Sequence, residues 1–68
     1  MTASNSTREL PLLLDVAGLS ARLGVTERHV RRLVAERRIP FVKVGKFVRF
    51  DPSAIAGWLE RATVEPRR

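Results

Sequence analysis

The sequence contains no cysteine and no tyrosine, and only one histidine, one methionine and one tryptophan among its 68 residues. Without cysteine there is no disulfide and no thiolate metal site, and a cytoplasmic location fits. The lone histidine, His29, has no partner with which to act as a catalyst or ligand. No apolar run is longer than Leu12 to Leu14, so no segment is long enough to cross a bilayer. Met1 to Glu9 lacks the apolar core of a secretory signal. There is no glycine-rich phosphate loop, no internal repeat and no low-complexity tract. The seven carboxylates, among them Asp15, Glu27 and Asp51, fall at expected caps and exposed helix positions. So short a chain cannot enclose a substrate pocket, so an enzyme is not expected, nor a metal, a cofactor, a small-molecule ligand or a membrane partner.

Acidic residues are scarcest where basic ones are densest. Between Arg28 and Arg49 stand Arg28, Arg31, Arg32, Arg37, Arg38, Lys43, Lys46 and Arg49, against the single acid Glu36. The formal net charge of the chain is +6, and this block carries all of the excess. A basic block in an otherwise balanced chain reads as a surface for a polyanion, most often nucleic acid. The plain alternative is a solvated, charge-rich face on a small domain.

The organisation follows from composition and spacing. Residues 1–9 are small and polar and read as a disordered arm. Residues 10–62 hold the folded domain, and residues 63–68, with Pro66 and a terminal Arg67-Arg68, read as a flexible tail. That leaves roughly 50 residues for a core, at the lower edge of what folds alone.

Leu14, Val16, Leu19 and Leu23 share helical spacing, and Asp15 is a suitable N-cap for a helix over about Val16 to Leu23. Gly18 inside it costs about 1 kcal/mol relative to alanine. Gly24 ends that helix, Val25 follows as a buried plug, and Thr26 caps a second helix running roughly from Glu27 to Arg37. Its apolar stripe is Val30, Leu33 and Val34; its opposite face is Arg28, Arg32 and Ala35, flanked by His29 and Arg31. Ile39-Pro40 closes it.

Two short β-prone runs follow, Phe41 to Val44 and Phe47 to Phe50, separated by Gly45-Lys46, a two-residue hairpin turn. Lys43, Lys46 and Arg49 are expected to cluster at its tip and outer face. Asp51-Pro52 starts a third helix, about Pro52 to Ala62, with the apolar stripe Ile55, Trp58 and Leu59. Phe41, Phe47, Phe50 and Trp58 read first as core. The expected fold is mainly α with a small β-hairpin: a winged helix-turn-helix.

In that fold the second helix enters a DNA major groove, and residues near its N-terminus face base edges. Here these are Thr26, Glu27, Arg28, His29, Arg31 and Arg32. Arginine reads guanine O6 and N7 in bidentate fashion, so Arg28 and Arg32 are the expected base readers. Arg31 makes a base or phosphate contact, and Thr26 a phosphate contact. Glu27 contacts a base or stabilises the helix dipole. His29 faces phosphate or the boundary of the interface. The wing residues Lys43, Gly45, Lys46 and Arg49 lie on the phosphate backbone or enter a minor groove, with Gly45 permitting close approach. Arg37 and Arg38 meet DNA or the dipole of their own helix.

The segments Leu14-Asp15-Val16, Leu23-Gly24-Val25-Thr26, Val30-Arg31-Arg32-Leu33, Arg38-Ile39-Pro40, Val42-Lys43-Val44-Gly45, Val48-Arg49-Phe50 and Ala56-Gly57-Trp58-Leu59 together resemble the excisionase family of DNA-binding domains. These are winged helix-turn-helix modules related to the DNA-binding part of MerR-type regulators. The resemblance spans about Leu14 to Leu59. It implies a small phage or mobile-element protein of a bacterial host that binds repeated double-stranded DNA sites near an attachment site. Such a protein associates cooperatively on DNA, bends it, and directs a phage integrase toward excision. Gly18 departs from the family, where relatives often carry an acidic or helix-favouring residue. The family also holds small transcriptional regulators, so a repressor is the alternative role. A protein adaptor whose basic face binds an acidic partner is a third reading, and it would show no steep salt dependence on DNA.

Overall fold

Each helix begins on a side chain that accepts a hydrogen bond from the helix's own first turn. Asp15 accepts from the Gly18 N–H at 2.7 Å, Thr26 Oγ1 from the His29 N–H at 3.0 Å, and Asp51 from the Ser53 N–H at 3.1 Å. Each such cap satisfies an otherwise orphaned donor and contributes about 1 kcal/mol. The computed structural model describes residues 10 and 12–66. The three caps open α1 (Val16–Leu23), α2 (Glu27–Ala35) and α3 (Pro52–Ala62). Between α2 and α3 lies an antiparallel hairpin of β1 (Val42–Val44) and β2 (Phe47–Arg49). The expected arm at residues 1–9 and the end of the expected tail, Arg67 and Arg68, lie outside the described residues.

Gly24, at φ 71°, takes the left-handed conformation that ends α1. The N–H groups of Gly24 and Val25 both reach the Ser20 carbonyl, at 2.9 and 3.1 Å. Val25 is not the buried plug its sequence suggests: it is 38% exposed. Its backbone, not its side chain, closes the turn. Gly18 also has a local reason. A Cβ there would lie 3.1 Å from the Asp15 carboxylate oxygen and press on the cap.

α2 stops two residues before the expected Arg37. Arg37 adopts φ 56°, the left-handed region that favours glycine. Its N–H donates to the Val34 carbonyl at 3.0 Å, and the Arg38 N–H to that of Leu33 at 2.9 Å. This is a Schellman closure, made here by an arginine. The chain thus turns three residues before Pro40, which lets Ile39 drop into the core.

The core is Leu19 from α1, Val30 and Leu33 from α2, Ile39 from the connector, Phe50 at the end of the hairpin, and Ile55 from α3. Leu14, Val34, Phe41, Val48 and Trp58 pack around it. Leu14 shares the spacing of α1 but lies outside the helix. It exchanges both backbone hydrogen bonds with Phe50, at 2.9 and 2.8 Å, in an isolated antiparallel bridge. The hairpin is thereby tied to the segment that leads into α1. Trp58 on α3 donates its indole N–H to the Arg38 carbonyl at 2.8 Å, tying α3 to the end of α2. Three helices and a two-stranded hairpin in this order form a small winged helix-turn-helix domain.

Candidate nucleic-acid interface

Burial sorts the residues of α2. Val30 and Leu33 are buried, Val34 is half-buried, and Thr26, Glu27, Arg28, His29, Arg31 and Arg32 are all exposed. Thr26, Arg28, His29 and Arg32 line one shallow depression on the outer side of the helix. This is the face expected to meet base edges, and the structure brings these four together. The Thr26 oxygen is occupied by the His29 N–H, which leaves its hydroxyl hydrogen free to donate.

Arg31 and Glu27 lie on the flank. They line an open cleft whose other wall is the hairpin segment Lys46 to Arg49 and whose floor includes Asp15 and Val16. Glu27 pairs with Arg31 at 3.2 Å one helical turn away. This favours its dipole-and-pairing role over a base contact. Glu36 accepts from Arg38 at 3.2 Å and lies 3.8 Å from Arg32. These pairs are exposed and worth little, so they open readily to a competing phosphate. Among the described residues, Arg28, Arg37, Lys43, Lys46 and Arg49 have no carboxylate within 4.0 Å.

In the hairpin, Val42 pairs with Arg49, Lys43 with Val48, and Val44 with Phe47. Gly45, at φ 62°, is the only left-handed residue of the turn, as in a type II′ hairpin. Directly paired residues point to the same face of a sheet. Val48 points toward Val16 and Val34; Val42, Val44, Phe47 and Arg49 therefore share the other, outward face. This register separates two residues that were expected to cluster. Lys43 lies on the Val48 side and Arg49 on the Phe47 side. A two-residue turn fixes that parity, because a shift of one position exchanges the faces. Lys46 stays at the tip. Arg49 is half-buried, donates from Nη1 to the Val48 carbonyl at 2.7 Å, and lies 5.2 Å from the centre of the Phe47 ring.

Phe47 is the clearest departure from the sequence reading. It is 52% exposed and does not belong to the core. Phe50 is buried as expected, and the alternation that half-buries Val48 and secures Phe50 turns Phe47 outward. The register implied by Gly45-Lys46 was the signal that could have found it.

No curated protein and no solved structure matches the chain. Over residues 13–63, however, its sequence matches a family described as a helix-turn-helix domain, which spans every element from α1 to α3 and both walls of the cleft. The chain belongs to this helix-turn-helix domain family, a family of typically non-enzymatic DNA-binding domains that includes excisionase-like proteins.

Proposed function

We propose that the protein is a sequence-specific, architectural DNA-binding protein of the excisionase kind. It binds repeated sites beside a phage attachment site, bends the DNA and turns an integrase toward excision. The observation that carries the reading is the exposed face of α2. Arg28 and Arg32 stand there with Thr26 and His29, on the side opposite the buried Val30 and Leu33. Nothing in the fold requires arginine at these positions, whereas bidentate recognition of guanine in a major groove does.

In this reading α2 lies in the major groove. Arg28 and Arg32 read base edges, Thr26 and His29 meet phosphate, and Arg31 gives up Glu27 for a backbone phosphate passing through the cleft. The wing brings Lys46 and Arg49 to the adjacent minor groove or its phosphates, with Gly45 allowing close approach. Lys43, on the other face, meets the neighbouring strand. The folded unit is residues 10–62, with an arm before it and a tail after it. Several copies act together, because one module of this size makes few contacts. The excisionase role rests on the sequence resemblance, which extends over the same elements.

A footprint on DNA from the source genome tests the whole reading. Bound fragments are recovered at near-physiological salt and the protected bases mapped. Closely spaced protected repeats next to an integrase gene are expected. A single site over a promoter would assign the protein to repression instead, and no enrichment over bulk DNA would sink the DNA-binding reading.

A further inference from the structure

Apart from Arg49, the outward face of the hairpin is apolar, and the core does not account for it. Phe47 and Val44 are 52% and 49% exposed and directly paired, and they flank the Gly45-Lys46 turn as its two shoulders. The hairpin is fixed to the body by residues other than these, through Val48, Phe50 and the bridge to Leu14. Two cations are held against the Phe47 ring: Lys46 Nζ lies 5.7 Å and the Arg49 guanidinium 5.2 Å from its centre. An apolar ring with two cations close to it, at the narrow end of a two-stranded ribbon, matches the chemistry of a DNA minor groove. There the walls are deoxyribose carbons, the floor is the stacked base edges and the rims are phosphates.

We propose that Phe47, with Val44 across from it, is an apolar wedge that the wing presses into the minor groove, where it bends the duplex. This rests on the reading of the hairpin as a DNA-contacting wing. Lys46 and Arg49 swing from the ring to the phosphates on either rim, and the freed ring is buried against sugars and a base step. Flexible pyrimidine–purine steps yield most easily to such a wedge, so the wing favours sites that carry one at that spacing.

The test uses the full chain and a duplex containing one footprinted site, labelled at both ends so that energy transfer reports the bend. Phe47→Ala is expected to weaken binding about tenfold, to reduce the bend, and to leave the salt dependence of affinity unchanged, because no phosphate contact is lost. Val44→Thr keeps the shape and strand preference of the side chain and is expected to act in the same direction, so the proposal does not hang on one variant that disturbs the hairpin. Arg32→Ala is measured on the same duplex. If it weakens binding while both wing variants bind and bend like the parent, the wedge is wrong and DNA reading by α2 stands. If Arg32→Ala has no effect either, Arg32 is removed from base readout and the wedge falls too, although the footprint shows that the protein binds DNA. A flatter salt dependence for Phe47→Ala would show the ring acting only by aligning Lys46 and Arg49. Loss of cooperativity on paired sites with single-site affinity intact would make the face a contact between copies. Either result overturns the wedge.

Discussion

Arg37 holds a backbone conformation, φ 56°, in which a side chain costs about 1–2 kcal/mol and glycine costs little. Arg37→Gly is therefore expected to raise the stability of the free protein by about 0.5–1 kcal/mol, after allowance for the added freedom of the unfolded chain, measured by thermal or urea unfolding. If the same variant binds DNA more weakly, the arginine is kept at that position for its charge. Arg28→Ala and Arg32→Ala act in the opposite sense. Both residues are exposed, so stability should hardly change, while affinity for the specific site falls by about 1–3 kcal/mol and base preference relaxes; competition binding against single-base variants of the site reads both effects. At this scale the sequence was legible wherever a side chain has a job that its type announces. Asp15, Thr26 and Asp51 are caps by chemistry and spacing. Val25 and Phe47 were misread because hydrophobicity alone does not say which way a side chain points, and Arg37 because a left-handed residue other than glycine carries no mark in its type.

The elements themselves were mostly legible. α1 and α3 have the expected bounds because strong caps stand before both, and Gly24 after α1. α2 is shorter than its periodicity suggests, since the tertiary demand to bury Ile39 turns the chain before Pro40 does. The pairing of Leu14 with Phe50 was not legible, because one residue on each side leaves no alternating pattern. Two tests belong here. Lys46→Ala should weaken binding to all sequences alike and reduce the magnitude of the salt slope by about one unit, measured by titration across a range of salt concentrations; a loss confined to some sequences would mean that the lysine reads groove shape. Trp58→Phe removes the 2.8 Å hydrogen bond to the Arg38 carbonyl while keeping most of the apolar bulk. A loss of about 1 kcal/mol in unfolding free energy is expected, and no loss would show that water replaces the indole N–H without penalty.

For the molecule as a whole, the positive charge is concentrated on two elements that share one cleft. The basic block from Arg28 to Arg49 runs through α2 and the hairpin, the two elements that wall the cleft beside Arg31. A domain this small is marginal by itself, so occupancy of the cleft should be visible as stability. A duplex carrying the specific site, at a hundred times its Kd, is expected to add about 2.7 kcal/mol and raise Tm, and a scrambled duplex of equal length to add less; equal shifts would mean that the protein does not discriminate between sequences. The link between α3 and the end of α2 has a spectroscopic consequence. The protein has no tyrosine and a single tryptophan, and that indole is bonded to the first carbonyl beyond the αL turn that closes α2. The long-wavelength emission of the native chain therefore comes from one half-buried fluorophore seated at the heel of the helix proposed to read DNA. Any tilt of that helix on docking will be registered there without a label.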